Sequence, residues 1–323
     1  MRLTRMLALG AVGVVLVSAC SLGGGSKPTI KIGSVGFDEA KVVAEIYAQA
    51  LESNGYTVDR TGIGLGDRSV LAPAVETGQI DLQPEYIGSR ISYELAHPAA
   101  SPAPAANAGI TGPTGDSATN LTDLQQLLSP KNLTVLNYTP AVDTNAFVVR
   151  SDTASKLHLT DLTDTTAVQG QLKWGLATDC PTNALCGAPG GALQGQYGIT
   201  AQTIAGATLL SACDTPMADA LKAGTIDVGE LCSTQPDILV NGWVILNDNK
   251  HTQPADNVAP IVRNDFLAKV DKTSFEKILN DISAKIDTTT LASLYKQVAV
   301  DHQDVAAVAK AWLQANGFVP KPS

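Results

Sequence analysis

Apolar and polar positions alternate over residues 29–35, Thr-Ile-Lys-Ile-Gly-Ser-Val, which predicts a strand. Val42, Val43, Ile46, Ala50 and Leu51 then recur at helical spacing. They predict a helix opened by Phe37-Asp38-Glu39 and closed by Asn54-Gly55. A second strand is expected over Thr57–Thr61, a Gly-rich turn over Gly62–Asp67, a helix over Arg68–Thr77 and a third strand from Ile80. Strand, helix, strand, helix, strand is the doubly wound α/β pattern. Pro84 donates no N–H to a ladder and is expected to end the third strand. Glu85, Tyr86 and Ser89 would then stand just beyond its carboxyl end, where open α/β sheets bind ligands.

The end of that unit is repeated. Residues 74–82 read Ala-Val-Glu-Thr-Gly-Gln-Ile-Asp-Leu, and residues 220–228 read Ala-Leu-Lys-Ala-Gly-Thr-Ile-Asp-Val. Ala, Gly, Ile and Asp recur at identical offsets, each time as helix end, Gly C-cap and strand. The second copy runs on into Glu230, Cys232, Ser233, Thr234 and Gln235. Two equivalent strand ends imply two similar lobes, each lending a loop to a shared cleft. Asp143-Thr144-Asn145 before the apolar run Ala146–Val149 reads as one crossing between lobes. Asn247–Lys250 after Trp243–Leu246 reads as the other. Helices expected over Phe266–Val270, Lys272–Ile286, Thr288–Val298 and Val305–Asn316 would pack on the first lobe. Residues 97–118, rich in Pro, Ala, Gly, Ser and Thr, read as a flexible surface insertion.

Composition adds an address. Arg2 and Arg5 precede the apolar run Met6–Val17 and then Val17-Ser18-Ala19-Cys20, the form of a secretory signal peptide. Its terminal Cys resembles the bacterial lipobox, so Cys20 is expected to carry lipid. The Ser/Gly tether that follows would hold the domain to the extracytoplasmic face of the cell membrane. No second apolar run reaches the length of a membrane-spanning helix. A net charge of −9 argues against nucleic-acid binding. Cys180, Cys186, Cys213 and Cys232 remain, an even number in an oxidising compartment. Cys180–Cys186 closes a short loop. Cys213–Cys232 would join the ends of two strands expected to be parallel neighbours.

Catalytic and metal patterns are missing from the sequence. His97, His158, His251 and His302 are scattered, and no CxxC, HExxH, GxSxG or Walker motif occurs. Glu85 and Glu230 read as cleft carboxylates rather than as an acid–base pair. A binding protein without cofactor or metal is expected, not an enzyme.

Gly33-Ser34-Val35-Gly36-Phe37-Asp38-Glu39, Pro84-Glu85-Tyr86-Ile87-Gly88-Ser89, the stretch Leu221–Thr234 and Leu246-Asn247-Asp248-Asn249-Lys250 with Pro254 resemble the osmoprotectant-binding (glycine betaine/choline, ProX-like) family. The resemblance runs from Thr29 to Phe318, apart from residues 97–118. It implies a two-lobed α/β fold of the type II periplasmic-binding-protein kind, with the ligand in the interlobe cleft. Lobe one would comprise 29–145 plus 247–323 and lobe two 146–246, after a signal peptide 1–19 and a lipidated Cys and linker 20–28. It also implies a monomer that hands a small solute to an ABC permease and its ATPase subunit. The implied ligand residues are Phe37, Asp38, Tyr86, Ser89, Thr144, Asn145, Gly190, Glu230, Cys232, Thr234 and Gln235. Where the family places cage aromatics, this chain has Thr144-Asn145, Gly190 and Cys232. At roughly 1 kcal/mol per aromatic face, three losses weaken a quaternary ammonium complex by about a hundredfold. The alternative is therefore a neutral polyol, sugar-like or aromatic ligand.

Overall fold

The computed structural model describes residues 27–97 and 109–320; the leader and Cys20 lie outside them. The first lobe opens with β1 (Thr29–Val35), α1 (Asp38–Ser53), β2 (Thr57–Gly66), α2 (Arg68–Thr77), β3 (Leu82–Tyr86), α3 (Ile87–Ala96), α4 (Ser117–Leu128) and β4 (Leu133–Val135). The chain crosses into β5 (Asn145–Val149), α5 (Ser151–Leu157), α6 (Thr165–Val168), β6 (Trp174–Ala177), α7 (Ala201–Ala205), β7 (Thr208–Leu210), α8 (Thr215–Lys222), β8 (Val228–Cys232), α9 (Pro236–Asn241) and β9 (Val244–Ile245). It returns for β10 (Val258–Arg263), α10 (Asn264–Leu267), α11 (Lys272–Ser283), α12 (Thr288–Ala299) and α13 (Val305–Ala315).

The strands build two five-stranded sheets, ordered β2-β1-β3-β10-β4 and β7-β6-β8-β5-β9. In each, three strands run parallel, and the fourth in the order, β10 or β5, runs antiparallel to its inner neighbour. The sheets therefore correspond strand for strand. The repeated Ile-Asp explains why. Asp81 takes the backbone N–H of Lys31 on its side chain at 3.0 Å, and its own N–H returns to the Lys31 carbonyl at 2.8 Å. Asp227 does the same with Lys173, at 3.0 and 2.7 Å. An arginine after the antiparallel strand completes each latch. Arg263 donates to the carbonyls of Val75 and Glu76 at the end of α2. Arg150 donates to those of Leu221 and Ile226 beyond α8 and pairs with Asp227. These bonds satisfy helix-end carbonyls that have no partner within the helix.

Burial follows the predicted periodicity. Val42, Val43, Ile46 and Leu51 of α1 are buried against β1 and β3 in the first lobe's core. Phe275, Leu279, Leu291, Leu294 and Leu313 bring the C-terminal helices onto the same core. Two smaller cores cover the faces of the second sheet, one around Phe147, Trp174 and Leu176, the other around Val148, Met217 and Leu221.

Several boundaries differ from expectation. β3 does not stop at Pro84 but continues through Glu85 to Tyr86. Pro84 lies opposite Pro260 of β10 at a non-hydrogen-bonded pair, with the Pro260 carbonyl turned away to the Leu136 N–H, so β10 needs no N–H from Pro84. The glycines after Thr61 extend β2 rather than forming a turn, because Gly62 and Gly66 pair with Gly33 and Val35 of β1. A Cβ on Gly62 would meet the Ile32 carbonyl at 2.9 Å, which is why that close pairing needs glycine. Disulfides join Cys180 to Cys186 and Cys213 to Cys232. The second does not link neighbouring strands: β6 lies between β7 and β8, and the bridge spans it. Of the segment expected to be an insertion, residues 98–108 fall outside the described residues. Its second half is tied down: Ala255 N–H donates to the Thr114 carbonyl at 2.8 Å, and Asn120 holds Thr114 from α4.

Candidate functional site

The carboxyl ends of β1 and β3 meet the start of α1 and α3 at the interlobe cleft. Phe37, 44% exposed, stands with its ring 5.5 Å from that of buried Tyr86. The Tyr86 hydroxyl donates to Glu39 Oε1 in the first turn of α1. Burial, with the charge of Asp143 beside it, pushes Glu39 up to about 8. Burial likewise raises Asp143 in the first crossing, which accepts the Thr234 hydroxyl at 2.8 Å. Asp256, before β10, accepts the N–H of Gly88 and Ser89 at 2.7 and 3.1 Å and the Ser89 hydroxyl at 2.6 Å. It thus occupies the N-terminus of α3, where a helix dipole favours an anion. Burial outweighs the Ser89 bonds and pushes Asp256 up to about 6. Beneath these acids Glu85 is held by Arg68, at 2.9 Å, and lies near fully buried Arg90.

A pocket of about 590 Å³ lies between the lobes. Lobe one contributes Ser89, Thr111–Thr114 and Asp256; the crossings contribute Asp143, Thr144, Asn145 and Pro254; lobe two contributes Leu185 and Cys232. Among the described residues, no lysine, arginine or histidine lines it. The first crossing is fastened to the end of β8 by Ser233, which exchanges bonds with Thr144 at 2.9 and 3.0 Å and so extends the β5–β8 ladder. The second is fastened by Tyr197, whose hydroxyl donates to Asp248, and by Gln253, which donates to the Leu185 carbonyl at 2.7 Å.

Of the residues singled out from sequence, Ser89, Thr144, Asn145 and Cys232 line this pocket. Tyr86 and Thr234 are buried beside it through Glu39 and Asp143, and Phe37 covers Tyr86. The others lie elsewhere. Asp38 turns outward to an ion pair with Lys41 at 3.1 Å. Glu230 is buried inside lobe two, where it accepts the Ala177 N–H at 2.8 Å. Gly190 borders a different pocket with Lys250 and His251. Gln235, at the N-cap of α9, turns its amide to Asp237. Sequence reasoning passed over Glu39, Asp143 and Asp256 as site residues. Each sat in view at an element boundary, in Phe-Asp-Glu, Asp-Thr-Asn and Pro-Ala-Asp-Asn, and only the fold shows that the three converge.

The family described as the substrate-binding domain of ABC-type glycine betaine transport systems, OpuAC, matches residues 28–315. The chain belongs to the OpuAC family. It is a solute-binding protein, not an enzyme. It is 27% identical over 323 residues to the glycine betaine-binding protein YehZ of Escherichia coli K12, covering 97% of this chain and 99% of that one. The fold matches a crystal structure described as a glycine betaine/carnitine/choline ABC transporter with TM-score 0.75 at 19% identity, over 90% of this chain and 99% of that one. It matches apo YehZ of Escherichia coli with TM-score 0.73 at 24% identity, over the same shares. Lactococcal OpuAC, closed on glycine betaine, aligns with TM-score 0.52 at 15% identity, over 90% of this chain and 96% of that one. Among the described residues of this OpuAC-family chain, no helix is long and apolar enough to cross a membrane.

Proposed function

We propose that this protein is an extracytoplasmic lipoprotein, anchored through Cys20, which captures a quaternary ammonium solute of the glycine betaine, choline and carnitine class. It delivers the solute to an ABC permease and its ATPase subunit. Lobe one would comprise 29–145 plus 247–323 and lobe two 146–246, closing on the solute by a bend near Asn145–Phe147 and Leu246–Lys250. The observation that carries the ligand class is the acidic cleft: Phe37 and Tyr86 beside Glu39, Asp143 and Asp256, with no basic residue in the pocket wall. Aromatic faces and carboxylates both favour a cationic head group, and neither favours a neutral polyol. The contacts proposed are Phe37, Tyr86, Ser89, Thr144, Asn145, Cys232 and Thr234.

Titration calorimetry of the soluble domain with choline, glycine betaine, carnitine and a neutral polyol tests the ligand class. Micromolar binding of a quaternary ammonium is expected. Binding of the polyol alone would overturn this reading. The anchor is tested by Cys20→Ser, which is expected to move the protein from the membrane fraction to the soluble one.

A further inference from the structure

Glu39 is a buried carboxyl only half satisfied by hydrogen bonds. It is 1% exposed, Oε1 is held by Tyr86, and Oε2 has no hydrogen-bond partner among the described residues. A buried acceptor left without a partner costs free energy that a ligand's donor or cation can recover. The charged and titratable groups that face it come from several elements. They are Tyr86 of β3, Asp143 of the first crossing, Asp256 before β10 and Tyr295 of α12. None of these brings a positive charge. Lys41, on the same helix, is turned to Asp38. Arg68 of α2 is committed to Glu85 and acts on Asp256 rather than on Glu39. Three acids thus share one corner of the cleft, and the one nearby base, Arg68, offsets Asp256 alone. Each ionised acid there raises the cost of ionising the next.

Resting on the quaternary ammonium reading above, we propose that Glu39 gives up a proton to solvent when the solute's cationic group binds. Capture is then an exchange of one positive charge for another. The carboxyl is neutral while it faces Asp143 in the ligand-free cleft, and becomes the counter-charge once a cation arrives. Its elevated proton affinity agrees with this order of events.

Calorimetry with choline chloride, at pH 7 in two buffers of different ionisation enthalpy, reads the exchange directly. Release of about one proton per choline is expected, with Kd falling about tenfold from pH 6 to pH 7 and levelling above about pH 8. Glu39→Gln should abolish the proton release and flatten the pH profile while still binding choline, more weakly. A circular-dichroism melt of that variant establishes that it is folded. The wild-type measurements need no variant at all. Choline binding without proton release, or with a Kd independent of pH over this range, would overturn the exchange and leave the ligand class standing. Failure of every quaternary ammonium to bind would overturn both.

Discussion

At the scale of the residue, the cleft acids make folding stability depend on pH in an unusual direction. Glu39 rises from an ordinary 4.5 to about 8, and Asp256 from 3.8 to about 6. The folded chain therefore holds protons that the unfolded chain has released. This contribution is complete below the unfolded values and disappears as pH rises through the folded ones. The ligand-free protein is expected to lose melting temperature between about pH 5 and pH 8, and Glu39→Gln to remove most of that slope, as read by thermal denaturation across the range. Tyr86→Phe keeps the ring and removes the hydroxyl's hydrogen bond to Glu39, which costs about 1–3 kcal/mol of stability in chemical denaturation. Choline affinity should change far less in Tyr86→Phe than in Tyr86→Ala, which loses the aromatic face and is expected to weaken binding about tenfold. These residues show where sequence reading stops. Tyr86 was legible because it follows a motif. Glu39 reads as a helix start and as the last residue of the Gly33–Glu39 stretch but not as a ligand residue, since whether a first-turn carboxylate is solvated or buried depends on the strands and crossing that pack over it.

At the scale of the element, the Ile-Asp repeat was legible and its meaning was not. Asp81 and Asp227 recur because each receives the amide of a lysine near the start of the adjoining parallel strand. A second repeat went unread: Val149-Arg150-Ser151-Asp152 and Val262-Arg263-Asn264-Asp265. Its two copies stand more than a hundred residues apart and at different places in their lobes, so no local pattern links them to the aspartates. Asp227→Ala is expected to cost about 1–3 kcal/mol by stranding the Lys173 amide and the Arg150 guanidinium, measured by urea unfolding. Helix starts were easier to read where an aspartate caps them, as at α2, α11, α12 and α13. Pro84 misled for a physical reason: a proline ends a strand only when a partner needs its N–H, and at a non-hydrogen-bonded pair β10 needs none from it.

At the scale of the whole molecule, two lobes, two crossings and the cleft could be inferred from the order of elements, while the contents of the cleft could not. The disulfides illustrate the difference. Cys213–Cys232 forms, but across β6 rather than between neighbours. Because Cys232 lines the pocket and the bridge closes 19 residues, Cys213→Ser with Cys232→Ser should cost about 3 kcal/mol in a thermal melt. The same double variant should weaken ligand binding in calorimetry.

The strand-for-strand match between the sheets carries one more consequence. β5 opens the second lobe in chain order, whereas its counterpart β10 comes after β1 to β4. The lobes are thus circular permutations of one pattern. Had β10 and the helices after it preceded β1, each lobe would be a continuous stretch joined by a single tether, free to swivel. Displacing that segment to the far side of the inserted lobe doubles the connection, and two crossings side by side allow bending while forbidding rotation.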